Sequence, residues 1–123
     1  MRRALPALIA TVLLVAPALA GDIDLSGPWG DKYGCVNKDG QEVYAEKMLL
    51  LTADSLVTAA GACAFTGRVA NRDGSLTLTA DCEAEGEENP TPVTFIVTPG
   101  KKNGKLVVSD DTGFVMGEVA RCK

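Results

Sequence analysis

Two stretches in the middle of the chain alternate apolar and polar residues with period two: Cys63-Ala-Phe-Thr-Gly-Arg-Val69 and Leu76-Thr-Leu-Thr-Ala-Asp-Cys82. Period two sends successive side chains to opposite faces, as a strand does and a helix does not. Between them, Asn71-Arg72-Asp73-Gly74 is a turn signal, so the segment predicts a β-hairpin. Centred between Arg72 and Asp73, the hairpin sets Val69 opposite Leu76, Gly67 opposite Leu78, Phe65 opposite Ala80 and Cys63 opposite Cys82. These residues share one apolar face, while Thr66, Arg68, Thr77, Thr79 and Asp81 share the other. A slip of one residue would mix the two sets.

The rest of the chain follows the same pattern. Val43 to Thr52 contains the apolar run Met48-Leu49-Leu50-Leu51; its Ala, Glu, Lys, Met and Leu would also suit a short helix, and the β-compatible residues favour a strand. Ala53-Asp54 is a turn into Ser55 to Ala59. Thr91 to Thr98 puts Val93, Phe95 and Val97 on one face. The loop Pro99 to Gly104 leads to Lys105 to Ser109, and a symmetric hairpin places Leu106 and Val108 opposite Val97 and Phe95. Asp110-Asp111-Thr112-Gly113 turns the chain into Phe114 to Cys122. Six to eight short strands at this spacing, with no helix-period segment of convincing length, predict an all-β fold: a small antiparallel barrel or sandwich. Asn37-Lys38-Asp39-Gly40 echoes Asn71-Arg72-Asp73-Gly74, but the flanks do not repeat, so both are read as turns.

Residues 1–20 are of a different kind. Met1-Arg2-Arg3 is followed by the 13-residue apolar stretch Ala4 to Ala16 and then by Ala18-Leu19-Ala20. This is the layout of a cleaved signal peptide, and the stretch is well short of the ~20 residues that span a bilayer. Cleavage after Ala20 leaves residues 21–123 as a single domain with no integral membrane segment, periplasmic or secreted. Two cations and no acid leave with the signal, so the formal net charge deepens from −4 to −6.

Cys35, Cys63, Cys82 and Cys122 all lie in the mature part. An even number in a small exported domain reads as two disulfides, and the absence of any C-x-x-C pair speaks against a zinc site. Four cysteines allow three pairings. The hairpin register selects Cys63–Cys82, since directly opposed strand residues are close enough to bridge, and leaves Cys35–Cys122.

Composition mainly excludes. The chain has no His, which removes imidazole-based triads, dyads and metal sites. Its serines have neither a G-x-S-x-G context nor an S-x-x-K spacing, so no catalytic residue is assigned and the expectation is a protein that is not an enzyme. An acidic net charge argues against nucleic acid as a partner. Asp81 to Glu88 packs five acids into eight residues and reads as a solvated loop. A calcium-loop register begun at Asp31 fails, because Tyr33, Cys35 and Val36 fall on ligand and glycine positions. No metal or other cofactor is expected.

Gly27-Pro28-Trp29 at the start of the mature chain and Arg121 at its end resemble the G-x-W and late-Arg pair of the calycin barrels, which include lipocalins, avidins and small bacterial protease inhibitors. The resemblance implies structural roles: Trp29 closing a barrel floor and Arg121 stacking across it. The wider pattern of Gly27, Trp29, Cys35, Cys63, Cys82 and Arg121-Cys122 is similar to that of small exported, disulfide-containing, uncharacterised β proteins of alphaproteobacteria, which implies a fold and no activity. The functional expectation is therefore a non-enzymatic exported module that binds a protein or small molecule or serves the cell envelope. The alternative is a periplasmic protease inhibitor of calycin type, whose arm Gly21 to Ser26 would enter a protease cleft.

Overall fold

A computed structural model describes residues 23–40, 47–84 and 88–123. The expected signal peptide, Gly21 and Asp22 of the arm, residues 43–46 of the first expected strand and residues 85–87 of the acidic run lie outside the described residues.

The elements are β1 (Trp29–Gly30), α1 (Lys32–Asn37), β2 (Leu49–Leu51), β3 (Ser55–Thr58), β4 (Gly61–Ala70), β5 (Leu76–Ala84), β6 (Thr91–Pro99), β7 (Lys105–Asp110) and β8 (Val115–Arg121). Each strand pairs antiparallel with the next, and β8 returns to β1 through Trp29↔Arg121 and Gly30↔Ala120, closing an eight-stranded barrel. Closure decides between barrel and sandwich, and it leaves no unpaired sheet edge. The inward positions are the apolar members of each alternating run. Leu51, Leu56, Leu76, Leu78, Val97, Val108 and Val119 are almost completely buried, and Phe95 and Leu106 pack among them. The lumen is thus filled by side chains.

Both predicted disulfides form: Cys63–Cys82 across β4 and β5, and Cys35–Cys122 between α1 and the residue after β8. They differ in setting. Cys63 belongs to the buried core cluster with Cys82 packed against it, whereas the Cys35–Cys122 bridge lies on the outer wall.

The β4–β5 hairpin corrects half of the expected register. Cys63↔Cys82 and Phe65↔Ala80 pair as expected, but beyond them the pairs are Gly67↔Thr79, Arg68↔Leu78, Val69↔Thr77 and Ala70↔Leu76. The cause is the turn. Asn71 N–H donates to Ser75 O, enclosing the three residues Arg72–Gly74, an odd number that a symmetric centre between Arg72 and Asp73 cannot provide. Asp73 Oδ1 accepts from both the N–H and the hydroxyl of Ser75, and Asn71 Nδ2 donates to Ser75 and Thr77 hydroxyls, which fixes this turn. The extra residue is absorbed as a bulge at Thr66. Val69 consequently turns outward and is 59% exposed, while Arg68 moves to the inner register beside Leu78.

The β6–β7 register also differs from expectation. Val108 faces Val97, and Leu106 faces Pro99. Gly100 N–H donates to Lys105 O, so the loop is shorter than the symmetric reading assumed. The offset is two residues, which keeps every side chain on its face, so the core is unaffected.

The helix α1 was not anticipated. At six residues it is too short to show a helical period. It begins where Asp31 Oδ1 accepts from Gly34 N–H at 2.7 Å, a side-chain cap on the first turn. It packs against β1 and β2 from outside. Gly34 permits this approach, since a Cβ there would run into the Leu49 carbonyl, and a Cβ on Gly30 would stand 2.9 Å from Cys35 N. With the barrel on one side and α1 on the other, Leu49, Leu50 and Leu51 are all buried.

Candidate functional site

Three features of the molecule could carry a function: the sealed barrel floor, a charged groove on the outer wall and an apolar notch at the opposite rim.

The floor is built from both ends of the described chain. The Arg121 guanidinium carbon lies 4.6 Å from the centroid of the Trp29 ring. Arg121 Nη2 donates to Asp24 O at 3.0 Å and lies 3.2 Å from Asp24 Oδ2. Trp29 Nε1 donates to the same carbonyl at 2.9 Å. Hydrogen bonds from Ser26, reinforced by the Arg121 charge, hold the Asp24 carboxyl below its ordinary value. Beside them Leu25 is buried in the core, and Arg68, delivered by the Thr66 bulge, donates to Ile23 O at 3.3 Å. Ile23–Ser26, the described part of the arm, is therefore tied across the floor. To reach a protease cleft it would first have to leave these contacts.

The groove lies on the outside of the wall where β1 meets β8. Its base is the small pair Gly30 and Ala120 with the Cys35–Cys122 bridge, and its volume is about 450 Å³. It arises because α1 folds back over β1 and leaves a trough between itself and the outward face of β7 and β8. Outward positions of these strands supply Lys105 and Glu118, α1 and its cap supply Lys32 and Asp31, and the residues after β8 supply Lys123 beside Arg121. Three lysines thus face two carboxylates, while the Arg121 guanidinium is turned to Trp29 and Asp24 at the floor. Among the described residues, neither Lys105 nor Lys123 has an ion-pair partner within 4.0 Å. Lys32 lies 5.6 Å from the Tyr33 ring centroid, a contact that leaves its charge unneutralised.

The notch opens at the rim away from the floor, where β1 has ended and β2 and β8 approach each other. Met48, Leu49, Ala60, Phe114, Val115 and Met116 line about 270 Å³. Phe114 and Val115 are 66% and 57% exposed. Of the acidic run, Asp81 and Glu83 project outward from β5 beside Ala62 and Ala64. No group of three or more His, Cys, Asp or Glu among the described residues is placed to hold a metal ion.

Compared with protein-family models, curated proteins and solved structures, the chain matches none. Two disulfides point to an oxidising compartment. Among the described residues no helix is long and apolar enough to cross a membrane.

Of the residues singled out in the sequence, Trp29 and Arg121 meet at the floor, and the four cysteines form one inner and one outer bridge. Asp24 and Arg68 were missed. Asp24 acts chiefly through its carbonyl, which no sequence pattern marks, and Arg68 reaches the floor only through the bulge. Lys32, Lys105 and Lys123 were also missed, because they converge from three separate segments. The available hint was Gly30 and Gly34, whose spacing on either side of Asp31 permits a close-packed helix over the first strand.

Proposed function

We propose that the protein is an exported, non-enzymatic module that binds an anionic partner on its outer wall, in the groove ringed by Lys32, Lys105 and Lys123. One observation carries this reading: three lysines, from α1, β7 and the residues after β8, converge on one trough in a chain of 12 basic and 16 acidic residues. Against a negative background, a local positive field both attracts an anion and orients it. A lumen already filled by apolar side chains supports an external site. Residues 1–20 and the paired cysteines support an exported protein, whether periplasmic or released.

Exposed ion pairs contribute only about 0–1 kcal/mol each. Binding through this groove is therefore weak, salt-sensitive and dependent on several contacts at once. An NMR titration with a short Glu-rich peptide at low ionic strength tests it. Shifts should centre on Lys105, Glu118, Ala120 and Lys123 and fade in 0.5 M salt. Replacing Lys105 and Lys123 by Glu should weaken binding about tenfold or more, from the pairs lost and the repulsion added. Shifts centred elsewhere, or unaffected by the two replacements, would refute the reading.

A further inference from the structure

The groove contains one covalent bond that can be broken and remade, and its setting is unlike that of the other disulfide. Both sulfurs of Cys35–Cys122 belong to residues that line the trough and are partly exposed, with Lys32, Lys105 and Lys123 lining the same trough. In the other bridge Cys63 is 7% exposed and packs in the core, while Cys82 is partly exposed, as both cysteines of the outer bridge are. The outward residues beside Cys82 on β5 are Asp81 and Glu83, so the two bridges differ chiefly in the charge around them. An incoming thiolate is thus attracted to one bridge and repelled from the other, and a thiolate leaving the first is stabilised by nearby cations.

We propose that Cys35–Cys122 is an exchangeable disulfide, opened selectively by anionic thiols that enter the basic groove. The proposal rests on the groove as an anion site and names the class of anion: a thiol bearing a carboxylate or sulfonate remote from its sulfur. The thiolate attacks one bridge sulfur, forming a new S–S bond while the Cys35–Cys122 bond breaks. The other cysteine leaves as a thiolate and takes up a proton. A second thiolate then attacks the reagent sulfur of the mixed disulfide and releases the remaining cysteine, which is protonated in turn. The bridge gains two electrons and two protons, and two reagent thiols become one reagent disulfide. The mixed disulfide is a covalent modification of the groove itself.

Opening the bridge leaves the non-covalent seam in place. Cys122 N–H donates to Pro28 O, Asp31 N–H donates to Leu49 O, and the Trp29–Arg121 stack does not involve either sulfur. Exchange should therefore occur on a folded barrel.

The test uses the oxidised protein and three thiols matched in thiolate concentration: 2-mercaptoethanesulfonate, 2-mercaptoethanol and cysteamine. Rates are normalised to those of each reagent with 2-hydroxyethyl disulfide, and alkylation with peptide mapping identifies which bridge opens. Cys35–Cys122 should open first with the sulfonate and with 2-mercaptoethanol, and at this bridge the sulfonate should exceed the amine by about threefold or more at low salt, a gap that closes in 0.5 M salt. The K105E/K123E variant should reverse the order, and K105Q/K123Q should flatten it. Equal opening of Cys63–Cys82 by the sulfonate or by 2-mercaptoethanol, or no charge order, would overturn the proposal. Isethionate, a sulfonate with no thiol, separates the two readings by NMR. If it binds the groove but exchange shows no charge order, the exchange proposal fails alone; if it does not bind and no order is seen, both fail.

Discussion

A methyl group at position 27 would stand 2.9 Å from Arg121 Nη1. That distance gives the glycine of the G-x-W motif a physical reason: it leaves room for the guanidinium that lies over Trp29. Arg121 is the end of a flexible, partly exposed side chain, so Gly27→Ala should displace it rather than unfold the barrel, at a cost of about 1 kcal/mol. Trp29→Phe keeps an aromatic face but loses the indole N–H that donates to Asp24 O, and should cost about 1–2 kcal/mol more than its change in packing. Urea unfolding of the two single variants and the double variant measures both effects, and a double-mutant cycle with Arg121→Ala isolates the stack. The carboxyls of Asp24, Asp73 and Asp110 are all held below the ordinary value of 3.8, chiefly by hydrogen bonds from Ser26, Ser75 and Thr112 respectively. A group with a lowered folded pKa contributes stability that is complete above its unfolded value and lost as pH falls through its folded value. Stability due to these groups should therefore hold from pH 7 down to near 4 and decline below it. D73N and D110N should flatten that acid limb in urea titrations.

At the scale of elements, the hairpins show what a sequence can and cannot reveal. Alternation identified the strands and their inward faces, and the Cys63–Cys82 pairing was legible because the bulge at Thr66 cancels the extra residue of the turn, restoring the expected register beyond it. The turn end of the same hairpin was not legible. Whether Asn71–Ser75 encloses two or three residues depends on hydrogen bonds among Asn71, Asp73 and Ser75, and a pattern of residue types does not count them. Helix α1 was invisible for a related reason: it is held by one cap and by two glycines that allow contact, not by a periodic apolar stripe. These positions are correspondingly sensitive. Gly34→Ala would drive a Cβ into the Leu49 carbonyl, which is backbone and cannot rotate away, so it should cost about 3 kcal/mol and detach α1. Gly67→Val meets the Thr79 hydroxyl instead, so Gly67→Val with Thr79→Ala should regain part of the ~1–3 kcal/mol lost. Far-UV circular dichroism and urea midpoints distinguish the two cases.

For the molecule as a whole, the bridges act over very different lengths of chain. Cys63–Cys82 closes a separation of 19 residues and Cys35–Cys122 one of 87. In the chain-entropy model these contribute about 3 and about 4.6 kcal/mol, so the outer bridge, which joins α1 to the residue after β8, carries the larger share. Replacing Cys35 and Cys122 by Ala should lower stability more than that loop-length argument gives Cys63–Cys82; the corresponding inner pair would also leave a cavity in the core, so its total loss should exceed its own entropic share. Calorimetry on both double variants tests this ordering. The candidate site was legible only in its parts. The cysteines and Arg121 stood out in the sequence, but the lysines that give the groove its sign come together only once α1 lies over β1.

Two residues make up β1, and on each side they contribute only Trp29 and Gly30 to the wall. The barrel is thus joined along one narrow seam, and the outer bridge fastens the layer directly above it. If that seam parts when both bridges are reduced and the protein is warmed, β2 and β8 become two bare edges with unsatisfied backbone groups. Such edges pair with those of another molecule. The expected product of reductive heating is therefore a ladder of strand-paired oligomers, visible by size-exclusion chromatography, rather than a dispersed unfolded chain. Keeping the outer bridge oxidised should therefore suppress that ladder under the same heating.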